Sequence, residues 1–353
     1  MNEQNDVARI MELVRPNILK LTPYSTARDE YKGSIGVFLD ANENPFDNGY
    51  NRYPDPRQKE LKQLVAARKG VAVENIFVGN GSDEAIDLCF RIFCVPGKDN
   101  VIAIAPSYGM YHVSADINDV EVREVQLNED FSLSVDALLE RADCRSKLMF
   151  LCSPNNPSGN SFPKAQIERL LNEFRGVVVV DEAYIDFSDQ ESLLTILPQH
   201  PNLIVLQTLS KAYGMAALRL GLAFAHSEIL SVFAKVKYPY NINLAGMECA
   251  RRLLQRDVDA EVALVRQERA RIVPLLQSFK SVRKVYPSDA NFVLVKVDDA
   301  RAMYDTLIAA QVIVRDRSHI KGCEDCLRIT IGTPEENDKM LEILEKYEEG
   351  HLY

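Results

Sequence analysis

Four consecutive valines ending in an aspartate, Val177–Asp181, are the feature that most constrains how this 353-residue chain can fold. A strand that is apolar on both faces must be covered on both faces, which is typical of a parallel sheet between two layers of helices. Similar apolar runs recur between about Ser34 and Ala225, and segments with the spacing of amphipathic helices separate them. The sequence therefore predicts an α/β fold with a mostly parallel sheet.

Seven strands and several helices are predicted in this region. The predicted strands are Ile76–Gly79, Val101–Ala105, Val122–Leu127, Lys147–Leu151, Val177–Asp181, Leu203–Thr208 and Leu220–Ala225. The predicted helices between them are Glu60–Lys69, Asp83–Phe93, Val135–Ala142 and Ala165–Phe174. A preceding amphipathic helix is indicated by Val7, Ile10, Met11 and Val14, and we expect Pro16 to stop it.

The pattern changes after about Leu230, where strands and helices no longer alternate regularly. The elements predicted there are a long helical region at Leu244–Phe279, a strand at Asn291–Val297, a helix at Asp299–Ala310, strands near Val312–Arg315 and Cys326–Ile331, and a helix at Glu335–Glu349. This order indicates a smaller α+β domain. We predict an N-terminal arm and helix over residues 1–33, a large α/β domain over residues 34–240 and a small domain over residues 241–353, with the two domains tightly packed.

Composition argues against several classes of protein. Lys and Arg number 41 and Asp and Glu 51, so the net charge is −10, which disfavours nucleic acid or an anionic membrane as the main partner. No apolar run approaches the roughly 18 residues of a spanning helix, and the polar N-terminus does not resemble a signal peptide. The seven cysteines are typical of reduced thiols in a cytoplasmic protein. Cys323 and Cys326 form a single C-x-x-C without nearby ligand pairs, so no metal is predicted.

Three charged residues near predicted strand ends are candidates for chemistry. Lys211, in TLSKAYG, leaves a buried strand, where desolvation makes an amine a candidate Schiff-base nucleophile; a surface lysine is the alternative. Arg219 lies inside the apolar run AALRLGLAFA and is expected to be buried beside an anion. Asp181 lies where ligands bind in open α/β sheets, although a helix cap or a loop carboxylate is the alternative.

Two turns add hydrogen-bonding groups at strand ends. In SPNNPSG, residues 153–159, Asn155 or Asn156 can bond at the strand end, although a bare turn is the alternative. GNGSDE, residues 79–84, exposes backbone N–H groups at a helix N-terminus, as phosphate sites do, but matches neither the dinucleotide nor the P-loop motif. A lysine, an acid, an amide and a phosphate cradle suit the aldehyde, ring nitrogen, 3-oxygen and phosphate of pyridoxal phosphate.

Longer motifs run nearly from end to end of the chain. They are LTPYS at residues 21–25, DANENP at 40–45, NRYPDP at 51–56, PSYGMY at 106–111, SPNNPSG, VVDEAYIDF at 179–187, TLSKAYG and CLRITIGT at 326–333. With these motifs the chain resembles the fold-type I pyridoxal-phosphate aminotransferases, and within that family it is similar to the members that act on histidinol phosphate. The resemblance implies a large cofactor-binding domain with a seven-stranded sheet between helices, a small α+β domain and a homodimer.

The resemblance also implies a role for each candidate residue. Lys211 would carry pyridoxal 5'-phosphate as an internal aldimine and move the proton of the substrate Cα. Asp181 would pair with the pyridinium nitrogen, while Asn156 and Tyr184 would hydrogen-bond the 3-oxygen. Tyr108 would stack on the ring, with a core aromatic as the alternative. The groups expected at the cofactor phosphate are Ser82, Asp83, Ser210, Arg219 and, from the neighbouring subunit, Tyr53.

The implied reaction is a ping-pong amino transfer between glutamate or 2-oxoglutarate and imidazole-acetol phosphate or L-histidinol phosphate. Arg328, in the apolar strand DCLRITI, would bind the α-carboxylate of glutamate. Arg315 and the neighbouring subunit's Tyr24 would bind the substrate phosphate, although Arg315 could be a plain surface charge. Asn42 and Asn291 are expected to line the pocket, with turn residues as the alternative.

Two other functions compete with this interpretation. A phosphothreonine decarboxylase would share the fold and the recognition of phosphate. A cofactor-binding regulator would carry a helix-turn-helix domain before this core, and the net charge of −10 also disfavours DNA binding.

Overall fold

A large mixed sheet forms the centre of the computed structural model, which describes residues 3–24 and 36–350. Residues 1–2 and 25–33 of the predicted arm, residues 34–35 of the predicted large domain and residues 351–353 of the predicted small domain lie outside the described residues. The strands are β1 (Ile76–Asn80), β2 (Asn100–Ala105), β3 (Glu121–Gln126), β4 (Ser146–Cys152), β5 (Val177–Asp181), β6 (Leu203–Thr208) and β7 (Leu220–Ala225).

The seven strands lie in the order β1-β7-β6-β5-β4-β2-β3. The pairs from β6 to β3 are parallel, and β7 is antiparallel to both of its neighbours. Each predicted strand is present within one residue at either end. The prediction of a mostly parallel seven-stranded sheet is confirmed.

Helices cover both faces of this sheet. They are α1 (Glu3–Met11), α2 (Pro16–Leu19), α3 (Lys59–Lys69), α4 (Ser82–Phe93), α5 (Met110–Ile117), α6 (Val135–Arg141), α7 (Lys164–Glu173) and α8 (Ser227–Val236). The sequence did not predict α5 or α8. Pro16 is the first residue of α2 and does not end α1. Proline is well tolerated at this position, because the N–H groups of the first helical turn have no partner within the helix and the missing N–H of proline costs no hydrogen bond.

The valines of β5 show why the sheet needs two layers. Val177 and Val179 pack into a core with Phe90 of α4 and Phe233 of α8. The alternate valines, 178 and 180, pack into a second core with residues of α3, α6 and α7. Successive side chains of a strand point to opposite faces, so a continuous apolar run is buried from both sides.

The C-terminal part forms a smaller antiparallel sheet with its own helices. Its elements are α9 (Leu244–Leu253), α10 (Asp259–Ser278), β8 (Val282–Val285), β9 (Phe292–Val297), α11 (Ala300–Ala309), β10 (Arg315–Asp316), β11 (Cys326–Thr330) and α12 (Pro334–Glu348). The strand order is β10-β11-β9-β8, and each pair is antiparallel. The prediction of a small α+β unit is therefore confirmed.

Three details of this part differ from the prediction. The long helical region is two helices separated by residues 254–258. The predicted strand at Val312–Arg315 shrinks to two residues, since Gln311 adopts a positive φ of 61° and the chain is still turning after α11. Strand β8 was missed because its sequence, VRKV, carries two cations in its centre.

Helix α9 bears on the domain boundary predicted at residues 240–241. Met247 and Ala250 of α9 are buried in the same core as Leu61 and Val65 of α3 in the large unit. The boundary stays a prediction. Within residues 3–24 and 36–350, no helix is both long and apolar enough to span a membrane.

Gly221 of β7 sets the distance between the sheet and the start of α4. A Cβ atom at this position would overlap Ser82 N and the carbonyl carbon of Gly81. Glycine is the residue that lets two backbones approach so closely. The start of α4 therefore lies directly against the reversed strand.

We expect Gly221→Ala to lower the free energy of unfolding by about 1–3 kcal/mol, because the added methyl group must push α4 away from β7. Urea unfolding followed by circular dichroism measures the change. Gly109→Ala is the matched control, because its φ is −63° and nothing lies within 4 Å of the added carbon, so a change below about 0.5 kcal/mol is expected. Equal losses in both variants would contradict the close contact.

Candidate active site

The carboxyl ends of three neighbouring parallel strands form the floor of the candidate site. In the register of the sheet, Cys152 of β4 lies beside Asp181 of β5, and Asp181 lies beside Leu206 of β6. The segments that follow these strands therefore emerge at one edge. Ligands of open α/β sheets bind at this edge.

A cavity of about 150 Å³ opens at this edge. Nine of the residues predicted to bind the cofactor line it together: Ser82, Asp83, Tyr108, Asn156, Asp181, Tyr184, Ser210, Lys211 and Arg219. Four further residues, which the sequence analysis did not single out, complete the lining: Cys152, Ala183, Thr208 and Ala216. Segments far apart in the sequence therefore contribute to one compact site.

Asp181 is a buried carboxylate with two hydrogen-bond donors. Tyr111 donates its hydroxyl to Oδ2 at 3.0 Å, and the Ala183 amide donates to Oδ1 at 3.0 Å. Burial raises the pKa of Asp181 to about 6, although both hydrogen bonds and the nearby charge of Lys211 act in the opposite direction. A cationic group placed against such a carboxylate strongly stabilises its ionised form.

Lys211 lines the same cavity as this acid. The side chain is exposed at the cavity, yet the surrounding protein atoms, followed by the charge of Arg328, lower its pKa. Its ammonium group lies 5.7 Å from the ring centre of Tyr184. A lowered pKa increases the fraction of free amine, which is the form that acts as a nucleophile or a base.

A chain of hydrogen bonds joins the small sheet to the cavity. Arg328 Nη1 donates to Asn156 Oδ1, and Asn156 Nδ2 donates to the Tyr184 hydroxyl at 3.4 Å. The guanidinium of Arg328 also lies over the ring of Phe292, 5.2 Å from its centre. Among the described residues, no hydrogen-bond acceptor faces the buried Nε of Arg328.

The N-terminus of α4 closes the opposite side of the cavity. Its N-cap residue is Gly81, with a φ of 77° and no side chain to satisfy the first-turn amides. The carboxylate of Asp83 accepts a hydrogen bond from the Tyr108 hydroxyl at 3.1 Å and lies 3.5 Å from Arg219 Nη2. Free amides beside a guanidinium form a typical anion site.

Arg219 corrects one expectation from the sequence. The arginine comes directly before β7, in agreement with the predicted start of that strand at Leu220, but it has a positive φ of 53° and its side chain is 51% exposed instead of buried. The apolar run AALRLGLAFA suggested burial, but its first three residues form a 3₁₀ turn, Ala216–Leu218, in which no residue is buried, and Arg219 follows at the surface of the cavity. The predicted anionic partner is present as Asp83.

The remaining predicted site residues lie outside the cavity lining. Tyr53 is half exposed and stacks on Tyr240, with ring centres 4.5 Å apart. Tyr24 is 76% exposed and borders a separate cavity of about 470 Å³. Asn42 is exposed with a φ of 53°, and Arg315 is exposed on β10 directly opposite Arg328.

The most informative residue missed at the sequence level is Tyr111. It is buried, stacks on Phe150 at 4.9 Å and directs its hydroxyl at Asp181. The only signal was its place three residues after Tyr108 in PSYGMY, which puts both rings on one side of a helical turn. The contact itself depends on where α5 lies.

Cys323 and Cys326 are both buried, beside Tyr286 and Leu294, and both are reduced. Burial raises the pKa of each thiol, of Cys323 to about 12 and of Cys326 to about 11. In the part of the chain that the structure describes, no group of three or more His, Cys, Asp or Glu side chains is arranged to hold a metal ion.

The groups gathered at the carboxyl edge of this sheet fit an aminotransferase. The chain belongs to the family described as aminotransferase class I and II, which matches residues 34–344.

One relative supports this family, and two solved structures share the fold. The histidinol-phosphate aminotransferase of Parabacteroides distasonis is 54% identical over 334 residues, covering 94% of this chain and 97% of that protein. The crystal structure of the histidinol-phosphate aminotransferase from Clostridium acetobutylicum has a TM-score of 0.78 at 23% identity, covering 85% of this chain and 91% of that one. The histidinol-phosphate aminotransferase from Sinorhizobium meliloti, solved in complex with pyridoxal-5'-phosphate, has a TM-score of 0.75 at 24% identity, with 84% of each chain covered.

The raised pKa of Asp181 predicts how the stability of the protein without cofactor depends on pH. The pKa rises from 3.8 to about 6 on folding, so between these values the folded state keeps a proton that the unfolded state releases. The contribution of this carboxyl group to the free energy of unfolding is therefore largest below pH 4, and it falls by roughly 3 kcal/mol as the pH rises through 6. Asp181→Asn removes this dependence.

Urea unfolding of both proteins between pH 4.5 and 7.5 measures the effect. The free energy of unfolding of the wild type minus that of Asp181→Asn should fall as the pH rises. A difference independent of pH would mean that Asp181 titrates as an ordinary surface carboxyl.

Proposed function

We propose that this protein is a pyridoxal-phosphate-dependent enzyme that transfers an amino group between glutamate and imidazole-acetol phosphate, giving 2-oxoglutarate and L-histidinol phosphate in histidine biosynthesis. The main support is the convergence of Lys211, Asp181, Asn156 and Tyr184 on one cavity in a class I and II aminotransferase. The name of the relative that is 54% identical supports the choice of substrate.

The groups that line the cavity fit the chemistry of pyridoxal phosphate. When bound, this cofactor supplies an aldehyde and an electron-withdrawing pyridine ring. Asp181 would bind the ring nitrogen, because a buried carboxylate with a raised pKa is stabilised by a cation. Asn156 and Tyr184 would hydrogen-bond the 3-oxygen, and Tyr108 would cover one face of the ring.

The phosphate of the cofactor would lie at the N-terminus of α4. The free amides of Ser82 and Asp83 would donate to it, together with the Ser210 hydroxyl and the Arg219 guanidinium. The Arg219 side chain already lies beside the Gly81 backbone, where a Cβ atom would come within 2.7 Å of Nη2. The positive φ of Gly81, 77°, favours glycine at this position, because residues with a side chain rarely adopt it.

Three residues would carry the catalytic steps. Lys211 Nζ would bond to the cofactor aldehyde and, once released, move a proton to and from the substrate Cα, since its pKa is lowered by its surroundings. Asp181 would keep the ring nitrogen protonated. The Tyr184 hydroxyl, held by Asn156 Nδ2, would orient the 3-oxygen.

Anion recognition would distinguish the two substrates. Arg328 bonds to Asn156 of the cavity lining and its Nε is unpartnered among the described residues, so the guanidinium would donate to the α-carboxylate of glutamate. Arg315 faces the same way on the neighbouring strand and would bind the phosphate of the second substrate together with Tyr24 of the partner subunit. Asn42 would line the substrate pocket.

The site would be completed in a homodimer in the cytoplasm. The segment before α3 carries exposed apolar side chains, including Val37 and Leu39 at 88% and Phe46 at 80%. Such a patch is typical of a protein–protein interface. Tyr53 follows this segment, and across the interface Tyr53 of the partner subunit would reach the cofactor phosphate.

Purified protein assayed with histidinol phosphate and 2-oxoglutarate tests the function directly. We expect formation of glutamate, and no release of CO₂ when phosphothreonine replaces histidinol phosphate. Decarboxylation of phosphothreonine without amino transfer would favour the decarboxylase instead.

A lysine variant tests the catalytic assignment. Lys211→Ala should bind the cofactor through its phosphate and ring contacts yet lose at least about 10³-fold in kcat, because both the covalent bond and the proton transfer depend on Nζ. Lys164→Ala is the matched control and should keep its activity, because Lys164 lies at the start of α7, pairs with Glu191 and does not line the cavity. Borohydride reduction of the wild type followed by peptide mapping should label Lys211, and a label on another lysine would refute the assignment.

A further inference from the structure

The guanidinium of Arg269, in α10, holds two backbone carbonyls from different parts of the chain. Its Nη1 donates to the Ala290 carbonyl at 2.6 Å and to the Phe187 carbonyl at 3.3 Å, and its Nη2 donates to the Phe187 carbonyl, also at 3.3 Å. Phe187 follows β5 of the large sheet, whereas α10 and Ala290 belong to the C-terminal part with the small sheet. One side chain therefore joins the two parts.

Both carbonyls depend on this arginine for a hydrogen bond. Phe187 and Ala290 are buried. Phe187 ends the 3₁₀ turn Ile185–Phe187, and the last carbonyls of a helical turn have no partner within it. Among the described residues, no other N–H or O–H group donates to either carbonyl. Buried carbonyls are almost always paired, so without Arg269 both segments would have to shift to find another donor.

Each of the two segments that Arg269 holds leads directly to the ring of Tyr184. The 3₁₀ turn begins at Tyr184, whose carbonyl accepts a hydrogen bond from the Phe187 amide at 3.1 Å. Ala290 lies two residues before Phe292, and the Phe292 ring meets the Tyr184 ring edge-on, with the ring centres 5.1 Å apart. One segment therefore carries Tyr184, and the other packs against it.

The segment before β9 also contacts the loop that holds the Tyr184 hydroxyl. The Asp289 amide donates to the Gly159 carbonyl at 2.7 Å, and Asp289 Oδ2 accepts a hydrogen bond from the Ser161 amide at 3.2 Å. Gly159 ends the loop SPNNPSG, in which Asn156 Nδ2 donates to the Tyr184 hydroxyl at 3.4 Å. The same short segment therefore bears on the ring of Tyr184 and on the partner of its hydroxyl.

We propose that Arg269 is a positioning residue for Tyr184: by holding the Phe187 and Ala290 carbonyls, it fixes where the Tyr184 hydroxyl lies in the cavity. Arg269 does not line the cavity, so it acts through the segments that it holds.

The consequence for the reaction rests on the proposed function, in which the Tyr184 hydroxyl donates to the 3-oxygen of the cofactor. A donor to this oxygen stabilises its negative charge, so the nearby nitrogen of Lys211, once bonded to the cofactor, binds a proton less tightly. A displaced Tyr184 would weaken that hydrogen bond and raise the pKa of this nitrogen.

The experiment titrates the absorbance of the bound cofactor with pH in holoenzyme carrying Arg269→Gln. The pKa of this titration should rise by about 0.5 to 1, which corresponds to the weakening of one hydrogen bond. A loss of stability alone would not move the titration. If Arg269→Gln does not fold, Arg269→Lys, which keeps a donor for one carbonyl, is measured in its place, and a rise in the same direction is expected.

Arg266→Gln is the matched control. Arg266 lies one turn earlier on α10 and pairs with the exposed carboxylate of Asp189, so this variant loses the same charge without touching either carbonyl. Its titration should equal that of the wild type. An unchanged titration in Arg269→Gln would overturn the proposal, and so would an equal rise in both arginine variants, because that pattern indicates an effect of charge alone.

A Tyr184→Phe background shows whether Arg269 acts through Tyr184. In that background, Arg269→Gln should no longer move the titration, because the hydroxyl that Arg269 positions is absent. A rise of the same size in both backgrounds would contradict the proposal.

A direct measurement on Tyr184 separates this inference from the proposed function. If Tyr184→Phe alone leaves the titration unchanged, the role of Tyr184 in the proposed function is wrong, and the ¹⁹F NMR spectrum of holoenzyme labelled with 3-fluorotyrosine then decides the inference. The Tyr184 resonance, assigned by its loss in Tyr184→Phe, should shift in Arg269→Gln and stay in place in Arg266→Gln. A resonance that Arg269→Gln does not move refutes the inference. Neither measurement uses the amino substrate, so a failure of histidinol phosphate as substrate does not affect them.

Discussion

The parallel register of β4, β5 and β6 is the constraint on which the site depends. Because Cys152, Asp181 and Leu206 lie side by side, the three following segments must leave the sheet at one edge. The helical layers on both faces bury the strands and hold that register. Residues that are far apart in the sequence and are predicted to be catalytic therefore line one cavity at this edge.

The antiparallel strand β7 brings a further residue, Arg219, to this edge of the sheet. It runs antiparallel to β1 and β6, so the residue just before it, Arg219, arrives at the same edge where the other strands end. Gly221 then allows the start of α4 to lie directly against the strand, which brings Ser82 and Asp83 beside Arg219. One reversal and one glycine thus convert a helix terminus into part of the site.

Much of this arrangement could be predicted from the sequence, because long apolar runs mark buried strands and polar residues at their ends mark the functional edge. The nine cavity residues followed from that logic together with the family motifs. The exposure of Arg219 could not be predicted, since the apolar run gives no sign of the 3₁₀ turn that precedes this residue. Nor could the contact between Tyr111 and Asp181, which depends on the packing of a helix that the sequence did not indicate. The roles of Tyr53, Tyr24 and Asn42 stay predictions, because these residues do not line the cavity of a single chain.

The hydrogen bonds from Arg328 through Asn156 to Tyr184 cross from the small sheet to the large one. The Asn156 amide uses its oxygen for Arg328 and its nitrogen for Tyr184. A change in the hydrogen-bond partner of Arg328 therefore alters the hydrogen bond that Asn156 makes to the Tyr184 hydroxyl. Adaptation to a new substrate at position 328 would therefore disturb the reacting centre as well. Evolution or engineering of substrate range in this scaffold has more freedom at Arg315 of β10, which has no hydrogen bond to that amide.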